Sequence, residues 1–206
     1  ALRVTVRLRE MVARSPEAFA LATSADDAAR IAGSGRRVVY LSIENGFPLG
    51  EDLTLLRTFH ELGVRMFGPV HFLNNDLGDS GTDPKGAEWG GLSPLGRDLV
   101  VEANRLGIVL DASHASDAVF DQMLELSKAP IILSHSGCKA IYDHPRNIDD
   151  DRLRRLAAAG GVKADDAVDE GPLVDHLADR RVFIAERRDG QRTLCCFASQ
   201  RVAKQR

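Results

Sequence analysis

Cysteine is scarce here: the chain has three, Cys138, Cys195 and Cys196, and they provide no disulfide framework. Neighbours in sequence such as Cys195 and Cys196 rarely bridge. A reducing, cytoplasmic compartment is therefore favoured over a periplasmic or secreted one. The latter stay open because the chain starts at Ala1 rather than Met, so a processed or truncated start is expected. Charge of one sign is also lacking. A formal net charge of −3 and a pI near 6.1 argue against a sequence-wide attraction to nucleic acid or anionic membrane. No apolar run approaches the roughly 20 residues of a membrane span, and Ala1-Leu-Arg-Val-Thr-Val-Arg7 has no signal-peptide pattern. Gly-x-Ser-x-Gly elbows, Walker loops and dinucleotide fingerprints are missing too, which sets serine-hydrolase and nucleotide-binding readings aside.

What is present is a regular alternation. With 206 residues, 44% of them hydrophobic, the chain can bury a sizeable core. It is nevertheless short for an eight-unit barrel of about 250 residues. Residues 1 to 30 look helical, broken at Ser15-Pro16. Strands are expected at 37 to 43, more weakly at 64 to 71 where Gly68-Pro69 interrupts, and at 108 to 112 and 130 to 134. Helices are expected at 52 to 62, from Ser93-Pro94 to Gly107, from Ser116 to Leu126, and from Arg152 to Ala159 behind a cap at Asp149 or Asp150. The segment from Asn74 to Gly91, with five glycines and Trp89, is expected to be a binding loop or lid. Such alternation implies parallel strands with right-handed crossovers. An incomplete (β/α) barrel of the TIM type over residues 1–162 is favoured over an open doubly wound sheet. Residues 163–206 change character, acidic to 179 and basic after it, and are expected to form a divergent, poorly ordered charged tail.

The chemistry gathers at strand ends. Ile108-Val-Leu-Asp-Ala-Ser-His114 and Pro130-Ile-Ile-Leu-Ser-His135 each carry a histidine just past an apolar run, and Val38-Val-Tyr-Leu-Ser-Ile43 leads into Glu44. Parallel strands would project all three from one end of the sheet. Two imidazoles and a carboxylate suit a catalytic divalent metal with a position left open for water. A nucleophile built from Ser113 and His114, or from Ser134 and His135, is disfavoured, because adjacent strand residues point to opposite faces.

The ordered motifs Ser42-Ile-Glu44-Asn-Gly46, Gly91-Leu-Ser-Pro-Leu-Gly96, Asn104-Arg-Leu-Gly107, Asp111-Ala-Ser-His114-Ala-Ser116, Ser127-Lys-Ala-Pro130, Ser134-His135-Ser136 and Arg146-Asn147-Ile-Asp149-Asp150 resemble the membrane dipeptidase (renal dipeptidase) family. The resemblance runs strongly from about Arg36 to Val162. It implies a (β/α) barrel hydrolase with two zinc ions that cleaves dipeptides. It further implies that Glu44 bridges both metals and that His114 and His135 are ligands of one. By the same resemblance His71 polarises the substrate carbonyl, and Arg146 binds the substrate's terminal carboxylate. A guanidinium fork matches that carboxylate in two hydrogen bonds.

The family's early His-x-Asp pair, which holds the other metal, has no counterpart before Glu44, where the first histidine is His60. Its late aspartate motif has none after Gly161. A truncated barrel is expected to expose strand edges, and hence to associate with copies of itself. Metallodipeptidase, non-catalytic fragment needing a partner, and another metal-dependent amidohydrolase-like hydrolase are the readings to be separated.

Overall fold

The computed structural model describes residues 1–164 and, for the backbone alone, 182–186 and 192–198. Helix α1 (Leu2–Ala13) leads through a turn to a short strand, β1 (Phe19–Leu21), then α2 (Ala25–Gly33) and the long β2 (Arg37–Glu44). There follow α3 (Thr54–Glu61), β3 (Val64–Gly68), α4 (Pro94–Leu106), β4 (Val109–Leu110), α5 (Asp117–Leu126), β5 (Ile132–Leu133), α6 (Asp150–Ala158) and β6 (Val162–Lys163). Strands β7 (Val182–Glu186) and β8 (Arg192–Ala198) complete the described elements.

The expected helices are present because their end signals are local and complete. Ser93 accepts from the Gly96 amide at 3.0 Å, Ser116 from Val119 at 3.2 Å, and Asp149 from Arg152 at 2.8 Å, each satisfying a first-turn N–H. Gly107 closes α4 at φ 72°, a left-handed conformation that costs glycine little. The N-terminal expectation needs correction. Residues 1 to 30 are not helical throughout, because Phe19-Ala-Leu21 extends and pairs in parallel with Arg37–Val39 at the start of β2.

Strand β2 pairs in parallel with β3, and β3 with β4. The two-stranded parallel sheet β5–β6 joins this one through a bridge between Asp111 and Ile132, where the Ala112 amide donates to Ile132 O at 2.8 Å. Strands β2 to β6 therefore follow one another side by side in chain order, the arrangement of consecutive units in a (β/α) barrel. On its other edge β2 meets β1 and, further along, β8 in parallel, with β7 antiparallel beyond it. Of residues 163–206, expected to form a poorly ordered tail, Lys163 at the end of β6, Ala164 and these two strands are described, and the rest lie outside the described residues.

One apolar cluster runs from Val39, Leu41 and Ile43 through Phe59, Phe67, Leu99 and Leu110 to Phe120, Leu133 and Leu156, all buried between the strands and the helices that cover them. Among the described residues no helix is long and apolar enough to cross a membrane.

Helix α4 packs so closely against the loop before it that a Cβ on Gly96 would lie 1.9 Å from the Leu77 carbonyl oxygen. That neighbour is backbone and cannot swing aside. Gly96→Ala is expected to cost about 1–3 kcal/mol, the range for overpacking a tight contact. A lower urea midpoint at unchanged slope would show it.

Candidate metal centre

Strand β2 ends at Glu44, and the next residue, Asn45, turns the chain away at φ 76°. Asparagine tolerates this left-handed conformation better than most residues. Its Oδ1 accepts from Asn75 Nδ2 at 3.1 Å, and the same Asn75 amide group donates to Pro69 O at 2.8 Å. The exits of β2 and β3 are thereby tied together, with Glu44 beside His71.

Strands β4 and β5 deliver the other two imidazoles. His114 also has positive φ, 70°, and its carbonyl accepts from the Gly81 amide at 2.9 Å. Left-handed backbone at a non-glycine residue costs of order 1–3 kcal/mol, tolerated where surrounding contacts hold it. Glu44 Oε1 lies 2.9 Å from His114 Nε2 and 2.9 Å from His135 Nε2, and the two nitrogens are themselves 2.9 Å apart. His71 Nε2 stands 3.8 Å from the same carboxylate oxygen. Glu44, His71 and His114 offer ligand atoms all within 4.8 Å of one another. The side chains of His114 and His135 are 3% and 2% exposed, whereas that of His71 is 29% exposed, so the cluster opens to solvent on the His71 side.

Burial holds the His114 imidazole neutral, pushing it down to about 3 against the opposing pull of Glu44. Burial alone would raise Glu44, but the close contacts with the His114 and His135 imidazoles outweigh it and hold the carboxyl well below the usual carboxylate range. Neutral imidazole and carboxylate are the forms that bind metal. Protons satisfy the triangle only in part: with hydrogen on both Nε2 atoms they repel across 2.9 Å, with hydrogen on one the other nitrogen faces Glu44 Oε1 lone pair to lone pair, and with neither three lone-pair atoms face one another. His114 Nδ1 is buried without a hydrogen-bond partner among the described residues, so no contact there diverts the ring from Glu44. The donor set fits a divalent cation.

A shell of polar groups fixes the strand ends. Asp111, 2% exposed, accepts at Oδ1 from the Ser113 amide at 3.0 Å and the Ser134 amide at 3.1 Å, while its Oδ2 accepts from Ser134 Oγ. Ser134 Oγ in turn lies 2.7 Å from His135 Nδ1. The expectation that a serine and the histidine after it cannot meet is therefore wrong for this pair. Both residues lie beyond β5, where strand alternation no longer applies. The nucleophile reading still gains nothing, because the Ser134 hydroxyl proton is engaged by Asp111. Arg146 Nη2 donates to His135 O at 3.0 Å, and Arg146 lines a small cavity together with His114, Ser136 and Asn147. All five candidates, Glu44, His71, His114, His135 and Arg146, thus lie at one end of the sheet.

Comparison with known proteins places the chain in a family. A model described as membrane dipeptidase (peptidase family M19) matches residues 1–164. The chain belongs to this family. Dipeptidase verJ of Clonostachys rogersoniana is 34% identical over 197 residues, covering 90% of this chain and 50% of its own. Dipeptidase 3 of Mus musculus is 36% identical over 158 residues, 75% of this chain and 31% of its own. The crystal structure of the probable dipeptidase PvdM from Pseudomonas aeruginosa superposes with a TM-score of 0.74 at 36% identity, covering 78% of this chain and 42% of that one. A metallo peptidase from Rhodobacter sphaeroides, liganded with a phosphinate mimic of the dipeptide L-Ala-D-Ala, gives 0.66 at 32%, covering 71% and 43%. The chain spans half or less of the length of these dipeptidases.

Sequence reasoning passed over Asp111 and Asp79 as site builders. Asp79, 1% exposed, accepts from the amides of Glu88 (2.8 Å), Trp89 (2.9 Å) and Gly91 (2.8 Å), and so folds the Asn74–Gly91 loop around one carboxylate. The available signal was an aspartate inside a glycine-rich loop, which is a weak one. Hydrogen bonds to a charged group contribute roughly 1.5–3 kcal/mol. Asp79→Ala is expected to raise amide hydrogen exchange at Glu88, Trp89 and Gly91 by 10-fold or more while leaving exchange in β2 and β3 unchanged.

Proposed function

We propose that this chain carries the metal-binding half of a dipeptidase site and that its substrates are dipeptides with a free C-terminal carboxylate. The observation that carries the reading is the mutual 2.9 Å contact of Glu44 Oε1, His114 Nε2 and His135 Nε2 at the ends of three parallel strands in a chain of this family. Two histidines and a glutamate form an established ligand set for catalytic zinc. Zinc is accordingly the metal proposed, held by Glu44, His114 and His135 with His71 at the open side. Bound there, it would supply Lewis acidity and bring the pKa of water towards about 7.

The remaining roles belong to side chains. His71, the most exposed of the imidazoles, faces the solvent side of the cluster, where its N–H can donate to a substrate carbonyl oxygen as negative charge develops on it. Phe72 packs against it with ring centroids 4.1 Å apart and also meets His114 edge-on at 5.0 Å, limiting how far either ring can turn. Arg146 places a guanidinium beside the cluster, and its bond to His135 O fixes its distance from it. A carboxylate held by that fork sets the scissile bond at a fixed offset, which selects for dipeptides over longer chains. The chemistry assigned here is that of the Glu44, His114 and His135 site.

Hydrolysis of a simple dipeptide by the zinc-supplemented chain tests this directly. Turnover is expected to disappear with chelator and to return with zinc, and Glu44→Gln is expected to lower kcat/KM by about 10²-fold or more. Arg146→Lys should raise KM for a dipeptide about 10-fold or more while leaving a C-terminally amidated analogue nearly unaffected. Zinc binding without turnover on any dipeptide would favour the non-catalytic fragment, and turnover on cyclic amides instead of dipeptides would favour a different hydrolase.

A further inference from the structure

Histidine binds metal through one ring nitrogen only if that nitrogen carries no hydrogen, so whatever engages the other nitrogen decides whether the ring is ready to ligate. With Asp111 as a carboxylate, its contacts and those of Ser134 leave one self-consistent arrangement of protons at His135 Nδ1. Asp111 Oδ1 already accepts two backbone amides, from Ser113 and Ser134, and Oδ2 accepts the hydroxyl of Ser134. A serine has a single hydroxyl hydrogen. With that hydrogen directed at Asp111, Ser134 Oγ can only accept at its 2.7 Å contact with His135 Nδ1. The hydrogen in that contact must then sit on Nδ1. Nε2 is left as a bare lone pair, aimed at Glu44 and His114.

The neighbouring hydroxyl fits the same scheme. Ser113 Oγ accepts from the His135 backbone amide at 3.1 Å and lies 3.4 Å from Ser134 Oγ, to which its own hydrogen can point. All three serine and aspartate side chains are at least nine-tenths buried, so water does not compete for these bonds. His114 has no such partner at Nδ1 among the described residues. Of the two buried histidines, only His135 has this relay among the described residues.

We propose that Asp111, acting through Ser134, is a positioning residue that sets the Nδ1–H tautomer of His135 and so keeps its Nε2 free for metal. The tautomer assignment follows from the hydrogen bonds alone. Its consequence for metal rests on the reading of the site given above, and the two are measured separately.

The discriminating variant is Asp111→Asn, which preserves shape but reverses one bond. Its amide oxygen can still accept the Ser113 and Ser134 amides. Its NH2 group, however, donates to Ser134 Oγ where a carboxylate oxygen accepted. The Ser134 hydroxyl hydrogen is then released towards His135 Nδ1, and the ring hydrogen moves to Nε2. Two-bond proton–nitrogen correlation spectra of the nitrogen-15-labelled, metal-free chain at pH 8 read the tautomer directly. The parent is expected to show His135 with hydrogen on Nδ1, Asp111→Asn with hydrogen on Nε2, and Ser134→Ala a shift towards Nε2–H. Zinc affinity, measured by competition with a chromophoric chelator, should fall about 10- to 100-fold in both variants. Ser134→Ala carries the test alone if Asp111→Asn fails to fold. Hydrogen on Nε2 in the parent, or no change of tautomer in a folded variant, overturns the assignment. A changed tautomer with unchanged zinc affinity overturns the link to metal and removes His135 from the ligand set.

Discussion

Three atoms that all offer lone pairs, Glu44 Oε1, His114 Nε2 and His135 Nε2, are held 2.9 Å apart in surroundings that exclude most water, and the rest of the site follows from that crowding. Left to protons alone, the arrangement repels itself in some pair whichever way hydrogens are assigned. The fold sustains it because each atom comes from a different, separately packed strand end. A divalent cation bound there would turn that crowding into coordination.

The strand order makes this possible. Strands β2 to β6 lie side by side in chain order, so their C-terminal ends share one rim, and the residues that follow them face a common space. The hydrogen-bonded links between exits then convert a shared rim into fixed distances. Asn75 ties β2 to β3, and Asp111 ties β4 to β5 while orienting the serine behind His135. The Asn74–Gly91 loop, wrapped on Asp79, supplies the amide of Gly81 that holds the His114 carbonyl. The loop therefore both flanks the open side and braces His114, whose backbone is left-handed.

Much of this was legible in the sequence where the determining signal is local. Ser93, Ser116 and Asp149 announce helix starts by their own chemistry, and Gly107 an end, so the helices follow the expected limits within two or three residues. Glu44, His114 and His135 could be grouped because parallel strands impose a common end. Other features depend on partners distant in sequence. Asp111 looks like a strand-end carboxylate until Ser134, 23 residues later, is seen to close on it. Strand β1 is three residues long, too short for any period to appear, and is extended because β2 offers it an edge. The adjacent Ser134 and His135 were misjudged by a strand rule applied one residue past the strand. The place of Arg192–Ala198 beside β2 was hidden by the basic residues that surround it in sequence.

The account stands on a cation held by nitrogen and oxygen donors at the ends of β2, β4 and β5. X-ray absorption at the zinc edge of the zinc-loaded chain addresses that claim without depending on turnover. A first shell of nitrogen and oxygen only, with the outer scattering of two or three imidazoles, is the predicted result, and Glu44→Gln should weaken or abolish it. A sulfur-containing shell, which would draw on Cys138, Cys195 or Cys196, or zinc retained without imidazole, would contradict it.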